Sequence, residues 1–364
     1  MVDQKRLLDE FVTLASFDSE SFHEEEIAGY LQNKLVSLGL EVNMDDTGNI
    51  YAFMKGNSEG EPVLFSAHMD TVAPGKGKKV IIHPDGKVTS DGTTVLGADD
   101  ATGIAAILEA LTVIRESDLP HPDIETVFFV AEEPYCRGSS AFDHSKIKSR
   151  FAYVFDLDGA VGTIANRAPS IISFKAVIEG KSAHAGFEPE NGISAISVAA
   201  LAVSRMKLGR IDAETTANIG LINGGTGRNI VPGRTVVEGE VRSLDSTKAN
   251  SIIETIATEF RTAAQEYGAQ VIFEAEEMIS AYCVDEASEV IVKYKKVLES
   301  LGYGQARIVT TFGGSDNNSL NKNGIEGIVV ANAMHNVHTT SEFFYVDEFL
   351  KSAEIAVKLA LSVQ

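Results

Sequence analysis

Hydrophobic and polar positions change their spacing several times along the chain, and each change predicts a different element. Residues 5–17 and 22–39 carry apolar side chains at helical spacing, which predicts two amphipathic helices. The pattern then alternates, and residues 40–44 and 50–54 are typical of a β-hairpin. Short continuous apolar runs, typical of strands that are covered on both faces of a parallel sheet, follow at 62–68, 124–131, 151–155 and 327–331.

Longer segments with helical periodicity separate these runs and close the chain. They cover residues 104–114, 286–301 and 346–361. Strands that alternate with helices favour an α/β fold in which a mainly parallel sheet has helices on both faces. A large core is compatible with this fold, because 44% of the residues are apolar.

The middle of the chain follows another pattern. Its order is βαββαβ, which predicts a ferredoxin-like α+β lid domain inserted into the larger domain. The predicted strands cover 171–179, 216–223, 235–242 and 269–274, and the predicted helices cover 189–208 and 246–267. We therefore expect a catalytic domain formed by 1–169 and 277–364, and a lid domain formed by 170–276.

The charge of the chain excludes some partners. With a formal net charge of -21 and no basic patch, the sequence argues against nucleic acid or an anionic membrane as partner. The first residues lead into an amphipathic helix rather than a signal peptide, and no apolar run approaches the roughly 20 residues of a membrane span. The two cysteines, Cys136 and Cys283, suit a reducing compartment. We expect a cytoplasmic protein.

Acids and histidines follow several of the predicted strands. Because ligands bind beyond the carboxyl ends of strands in open α/β sheets, these side chains are expected to converge. Taken alone, Asp99-Asp100 is also compatible with a helix N-cap and one surface acid, and His68 with a structural histidine. Together the strand ends supply a mixed nitrogen and oxygen set suited to Zn²⁺ or a similar ion, formed by His68, Asp99, Glu133, Asp158 and His338.

This set can be divided between two ions that share Asp99. One ion would take His68 and Asp158, and the other would take Glu133 and His338. Two ions roughly 3.5–4 Å apart polarise a carbonyl and lower the pKa of a bridging water, which suits amide hydrolysis. Glu132, beside Glu133, is the natural general base. Asp70 can accept the second N–H of the His68 ring, because positions two apart in a strand point the same way.

Three further segments contain candidate binding residues. A small-residue loop at 180–186 presents His184, and a second loop at 227–232 contains Arg228 and Asn229. A glycine turn that includes Gly314 opens a helix whose N-terminal amides could hold an anion such as a substrate carboxylate. The loops at 180–186 and 227–232 are each also compatible with an ordinary turn that has a polar tip.

The order of these motifs resembles, over nearly the whole chain, the co-catalytic zinc peptidase family of peptidase T, glutamate carboxypeptidase and the deacylases of amino-acid metabolism. Within that family the sequence is most similar to the peptidase T-like (tripeptide aminopeptidase) branch. The motifs are Ser66-Ala67-His68-Met69-Asp70, Leu96-Gly97-Ala98-Asp99-Asp100, Ala131-Glu132-Glu133, Asp158-Gly159, Gly180-Lys181-Ser182-Ala183-His184-Ala185-Gly186, Asn229-Ile230-Val231-Pro232 and His335-Asn336-Val337-His338 with Glu342-Phe343.

The resemblance implies the same ligand, base and orienting roles, and a cis peptide bond between Asp99 and Asp100. It also implies that His184 stabilises a tetrahedral oxyanion, reaching in from a partner subunit in dimeric members. Asn229 would bind substrate, and Arg242 or Arg228 would hold a substrate carboxylate. A homodimer through the lid domain is therefore an expectation.

The chain also departs from the family pattern. Asp156 competes with Asp158 as a ligand, and His335 competes with His338, although the residues that follow favour His338. The chain is shorter than typical peptidase T, so specificity loops of that enzyme could be missing. We expect an aminopeptidase that acts on tripeptides or dipeptides with two zinc ions, or with cobalt or manganese. A deacylase or carboxypeptidase acting on N-acyl amino acids is the alternative, and a non-catalytic binding protein is a remote one.

Overall fold

The computed structural model describes residues 1–361. The described chain forms two compact units, one from Met1–Arg167 with the chain from Cys283 onward, and one from Ala168–Tyr282. We call them the main unit and the inserted unit.

The first part of the main unit contains four α-helices, a short 3₁₀ helix at His144–Lys146 and eight strands within the described residues. The α-helices and strands are α1 (Gln4–Ala15), α2 (Glu25–Ser37), β1 (Glu41–Met44), β2 (Ile50–Met54), β3 (Val63–His68), β4 (Ile81–Ile82), β5 (Lys87–Thr89), α3 (Ala98–Ser117), β6 (Ile124–Phe129), α4 (Arg137–Ala141), β7 (Phe151–Leu157) and β8 (Thr163–Ala168).

The inserted unit follows. Its elements are β9 (Ser170–Glu179), α5 (Ala195–Arg205), β10 (Gly209–Asp212), β11 (Thr215–Gly224), β12 (Arg234–Ser243), α6 (Ser246–Tyr267) and β13 (Gln270–Ile279).

The chain then returns to the main unit. The remaining elements are β14 (Tyr282–Cys283), α7 (Glu289–Leu301), β15 (Arg307–Thr310), α8 (Asp316–Lys322), β16 (Glu326–Ala331), β17 (Phe343–Tyr345) and α9 (Val346–Ala360).

The large sheet of the main unit has the order β1-β2-β6-β3-β7-β16-β8-β14, and β15 pairs with β8. Its centre is parallel, since β3 pairs in parallel with both β6 and β7, and β7 pairs in parallel with β16. Antiparallel pairs lie towards the edges, such as β1 with β2 and β16 with β8. The predicted mainly parallel α/β sheet is confirmed.

The central strands are buried because both of their faces are covered. Every residue of β3 and β6 is buried, as the continuous apolar runs predicted. Helix α3 is buried from Ala98 to Ile114 and packs against β3, β7, α1 and α9. The start of this helix is therefore held inside the protein, next to the strand ends.

The inserted unit is a two-layer sandwich. Its sheet has the order β10-β11-β12-β9-β13, in which the last four strands have the ferredoxin-like arrangement, and α5 and α6 pack against it. The predicted lid fold is confirmed. Several details differ: the helix expected over 189–208 is confined to α5, the edge strand β10 was not predicted, and β13 extends beyond the predicted end at 274.

Other short elements were also missed. The strand β8 was not predicted, nor was the small sheet in which β17, β5 and β4 pair. Within residues 1–361, no helix combines the length and apolar character that crossing a bilayer requires.

Candidate active site

The predicted strand-end residues meet at one edge of the large sheet. His68 ends β3, Glu132 and Glu133 follow β6, and Asp156 lies near the end of β7. These three strands are parallel neighbours, so their carboxyl ends point to the same side. Asp99, in the first turn of α3, reaches the same place.

Two overlapping groups of possible metal ligands form there. In the first group, His68 Nε2 lies 3.0 Å from Asp99 Oδ1 and 3.7 Å from Asp156 Oδ1. In the second group, His338 Nε2 lies 3.1 Å from Asp99 Oδ2 and 3.0 Å from Glu133 Oε2. Within each group the ligand atoms all lie within 4.8 Å of one another. Asp99 belongs to both groups and uses a different oxygen in each.

The acid at the end of β7 differs from the prediction. The structure brings Asp156 into the first group, whereas Asp158 is exposed and outside it. The prediction ended the strand at Phe155, which placed both acids in the following loop. In the structure β7 continues through Leu157, so Asp156 is held on the sheet next to His68, while the chain turns away at Gly159, whose N–H donates to Met334 O. The length of the strand is the signal that distinguishes the two acids.

His338 rather than His335 reaches the second group. His335 pairs its backbone with Phe343, and its Nε2 lies 3.4 Å from Glu348 Oε2. Asp99 and Glu133 raise the pKa of His338 to about 10, although burial acts in the opposite direction. A histidine that is flanked by two carboxylates in this way retains its second ring proton at neutral pH, unless a metal cation replaces that proton.

Asp70 connects the first group to the Glu132-Glu133 segment. Its Oδ1 faces His68 Nδ1 at 3.3 Å and accepts the Glu132 N–H at 2.9 Å. Its Oδ2 accepts the Glu133 N–H at 3.2 Å and the Ser21 hydroxyl at 2.7 Å. Burial raises the pKa of Asp70, but the His68 ring and these donors outweigh it, so the pKa is lowered. An ionised Asp70 therefore orients both the histidine and the two glutamates.

Asp100 has a structural role beside the groups. The Asp99-Asp100 peptide bond is cis, as the resemblance implied. Asp100 Oδ1 accepts the Gly103 N–H at 3.2 Å, which is the bond that an N-cap makes, and the Asn332 amide at 2.7 Å. Its Oδ2 accepts the His68 N–H at 3.2 Å. Asp100 therefore ties the start of α3 to the end of β3.

Glu132 lies beside both groups but belongs to neither. It is 8% exposed, and burial together with Asp156 raises its pKa well above the ordinary value. The thiol of Cys136 donates to Glu132 Oε1 at 3.5 Å. Burial also raises the pKa of this thiol, so Cys136 stays neutral and can act as a donor. The sequence did not indicate this contact between Cys136 and Glu132.

Two further buried glutamates, Glu24 and Glu342, lie in this part of the molecule, and the sequence analysis assigned neither of them a role. Glu24 Oε1 accepts the Ala131 N–H at 2.9 Å, just before Glu132. Glu342 accepts three backbone N–H groups of the segment that leads to Asp99. An acid four residues after His338 was visible in the sequence, but its partners lie more than 240 residues away and local patterns do not reveal such pairings.

In the inserted unit, His184 and the Arg228-Asn229 loop lie together. The Ala185 N–H donates to Asn229 O at 2.9 Å, and His184 forms a β-bridge with Ile230. His184 Nδ1 accepts the N–H groups of Gly186 and Phe187, each at 3.1 Å. The proton of the neutral ring is therefore on Nε2, which makes Nε2 a donor.

Arg242 is placed elsewhere in that unit. Arg242 lies near the end of β12. The strand begins at Arg234, shortly after the loop that contains Arg228, and the eight residues from Arg234 to Arg242 span about 26 Å of extended strand. Its guanidinium binds Glu240 through Nε at 2.7 Å and Nη2 at 3.2 Å. The charge of Arg242 is thus already balanced, and of the two predicted arginines Arg228, which is exposed next to Asn229, fits a substrate carboxylate better.

Gly314 lies in the turn before α8, as predicted. The Ser315 N–H at this turn is bound by Asn318 Oδ1 at 3.0 Å, as part of a capping box. The helix therefore caps part of its own N-terminus, and anion binding by Gly314 stays a prediction.

Comparisons with known proteins place these observations in a family. A family model described as a peptidase dimerisation domain matches residues 167–268, and a model described as peptidase family M28 matches residues 49–182. The chain is 40% identical over 367 residues to the protein YqjE of Bacillus subtilis, covering 99% of this chain and 98% of that protein.

Two solved structures are similar over nearly the whole chain. Aminopeptidase PepT from Bacillus cereus has a TM-score of 0.90 and 39% identity, and a tripeptidase from Staphylococcus aureus has a TM-score of 0.94 and 34% identity. Each match covers 99% of this chain and 98% of the other. The resemblance deduced from the motifs is therefore confirmed, and the chain belongs to the peptidase T family of metal-dependent peptidases.

Proposed function

We propose that this protein is an aminopeptidase that releases the N-terminal residue of tripeptides or dipeptides with the help of two divalent metal ions. The observation that carries the proposal is the sharing of Asp99 by two ligand groups, one through each carboxylate oxygen. Such a pair of adjoining groups is the arrangement that two-metal hydrolases use.

The residues present fit such ions. Ligand atoms bound tetrahedrally at about 2.0–2.1 Å lie about 3.3–3.4 Å apart, and the separations of 3.0, 3.1 and 3.7 Å in the two groups bracket this value. Glu133 Oε1 is buried and has no hydrogen-bond partner among the described residues, as expected of an oxygen that binds a cation. We propose His68, Asp99 and Asp156 as ligands of one ion, and Asp99, Glu133 and His338 as ligands of the other.

The residues around the ions would have distinct tasks. Bound ions would polarise the scissile carbonyl and lower the pKa of a water molecule. Glu132 would take the proton of that water and return it to the leaving nitrogen as the C–N bond breaks. The Cys136 thiol and the Glu132 N–H bond to Asp70 hold Glu132 in place for this task.

His184 is proposed to stabilise the oxyanion of the tetrahedral intermediate, as the resemblance implies. The two N–H groups that bind its Nδ1 leave the Nε2 proton as the donor that this role requires. Asn229 and Arg228, on the neighbouring loop, are proposed to bind substrate, with Arg228 holding its carboxylate. Arg242 is a weaker candidate because of its bond to Glu240.

Zinc is the proposed native metal, because imidazole and carboxylate ligands suit it, although cobalt and manganese accept the same donors. We also propose a homodimer formed through the inserted unit. Its match to a peptidase dimerisation domain supports this, as do the exposed apolar side chains of Leu221, Ile222 and Ile272. The cytoplasmic location expected from the sequence remains a prediction.

The substrate can be tested with matched peptides. We expect the zinc-loaded protein to release the first residue of a free-amine tripeptide and to leave its N-acetylated form intact, with products identified by mass spectrometry. The variant E132Q, purified in the same way, controls for contaminating peptidases. Turnover of the N-acetylated peptide alone would overturn the aminopeptidase proposal in favour of the deacylase.

A further inference from the structure

Glu342 is a buried carboxylate with an unusual set of partners. It is 1% exposed, and its Oε2 accepts the N–H groups of Leu96 at 2.7 Å and Gly97 at 2.8 Å. Its Oε1 accepts the Asp99 N–H at 2.9 Å. Both oxygens of one side chain thus bind the short backbone segment that ends at Asp99.

These bonds join two segments that are distant in sequence. Glu342 follows His338 by four residues, and its own N–H donates to Thr339 O, which closes a turn directly after His338. The backbone of Glu342 is therefore held close to that of His338 in sequence and in space. Glu342 thus connects the loop that contains His338 to the segment that contains Asp99, the residue shared by both ligand groups.

The 96–99 segment is enclosed on another side as well. Gly97 has a φ of 74°, and a Cβ atom at this position would lie 3.1 Å from Lys78 Cε. Lys78 Nζ in turn donates to Phe17 O at 2.7 Å and Gly75 O at 2.9 Å. Because Lys78 fills the space beside Gly97, the 96–99 segment has little room to move towards Lys78. The hydrogen bonds from Glu342 restrict its movement in the other directions.

We propose that Glu342 is a positioning residue that holds Asp99 where both of its oxygens can serve a cation, an inference that rests on the proposed function. A bridging ligand has to satisfy two positions at once. A displacement of its backbone by a few tenths of an ångström lengthens at least one of the two bonds. Partners that orient metal ligands typically contribute about 10- to 100-fold to metal affinity.

The alternative is that Glu342 only stabilises the fold, and the chain offers a matched control for this case. Glu125 is also a fully buried carboxylate that accepts backbone N–H groups from a loop, those of Lys148 and Ser149, and it also accepts the Tyr51 hydroxyl. It lies at the start of β6, whereas Glu132 and Glu133 follow the end of that strand. E125Q should therefore affect stability without affecting the ligands.

The experiment is a titration of the metal-free full-length protein with Zn²⁺ against a chromophoric chelator. Wild type and E125Q should bind two ions with the same affinity. E342Q should bind about 10- to 100-fold more weakly, because the amide cannot accept all three N–H groups and Asp99 loses its fixed position. With metal in excess, kcat of E342Q should fall while KM changes little. If E342Q misfolds, E342D, which retains the charge but is one methylene shorter, takes its place.

The outcomes separate the two proposals. If E342Q, or E342D in its place, loses thermal stability to the extent that E125Q does but retains the wild-type titration curve, Glu342 is only structural. If wild type binds two ions but hydrolyses no peptide, the proposed function fails and the titration still decides the role of Glu342. If wild type binds no ions, both proposals fall.

Discussion

At the residue scale, the two oxygens of Asp99 face different histidines. Oδ1 faces His68 and Oδ2 faces His338, at 3.0 and 3.1 Å. Burial raises the pKa of Asp99, but the two imidazoles outweigh it, so the pKa is lowered and the carboxylate stays ionised. One permanently charged side chain is therefore available to both proposed metal positions.

Asp156, rather than the predicted Asp158, lies in the group around His68, and this difference gives a direct prediction. D156N should weaken zinc binding at least about tenfold and reduce turnover, because it removes a charged ligand atom from the group around His68. D158N should resemble wild type, because Asp158 is exposed and lies outside both groups. Zinc content after dialysis measures both. The opposite ranking of the two variants would restore Asp158 as the ligand.

The role proposed for Glu132 gives a second prediction. E132A should retain its metal, because Glu132 belongs to neither ligand group, but should lose about 10²- to 10⁴-fold in kcat. Metal content and kcat are measured on the same preparation. A variant that turns over peptide at the wild-type rate would exclude Glu132 as the general base, and one that loses its metal would make Glu132 a ligand.

At the element scale, α1 is anchored to α3, the helix that begins with Asp99. Arg6 binds Glu109 through two bonds, Nε to Oε2 at 2.6 Å and Nη2 to Oε1 at 2.8 Å, and the Glu109 side chain is 2% exposed. Asp3 N–H donates to the same carboxylate at 2.7 Å. Glu109 is therefore a buried charge that depends on Arg6 for its neutralisation.

Removal of Arg6 should be costly for this reason. R6Q leaves the Glu109 carboxylate buried without its cation, and we expect a loss of about 3 kcal/mol in the free energy of unfolding, measured by urea titration. The neighbouring variant K5Q is the control. It breaks an exposed pair with Asp9 and should have a much smaller effect on the free energy of unfolding. Equal effects of the two variants would contradict this account.

The strands that carry the candidate site residues were predictable from local patterns, whereas several shorter strands elsewhere in the two units were not. The continuous apolar runs of β3 and β6 identify buried strands, and His68 and Glu133 are found directly beyond their ends. Short strands such as β8 and β10 have no such pattern. The strand β8 depends on pairing with β15, which is distant in sequence, and β10 only extends the edge of the inserted sheet by pairing with β11. The sequence did not show that Asp156 rather than Asp158 lies next to His68 for a related reason, since the last residues of β7 are fixed by pairing with β16.

At the scale of the whole molecule, a change of pattern in the sequence located the inserted unit, and the family-model match over 167–268 falls in the same region. The contacts end this unit at Tyr282, beyond the predicted boundary at 276, because β13 continues to Ile279. The main unit contains all the proposed metal ligands. The proposed metal site therefore needs segments from both sides of the insertion, with Asp99 before it and His338 after it.

Metal removal should consequently destabilise the protein as a whole. Bound ions stabilise the folded state by linkage, about 4 kcal/mol at a concentration 1,000 times the Kd. Without them, Asp99, Glu133 and Asp156 remain close together with only two imidazoles to balance them. Chelator at neutral pH should therefore lower the Tm, and added Zn²⁺ should restore it. A Tm that is insensitive to both would contradict the assignment of a metal site.

Anomalous diffraction from crystals of the active, zinc-loaded protein shows whether two ions lie side by side and share Asp99. We expect two peaks, one next to His68 and Asp156 and the other next to Glu133 and His338, with Asp99 between them. A single peak, or peaks that Asp99 does not touch, would contradict this expectation.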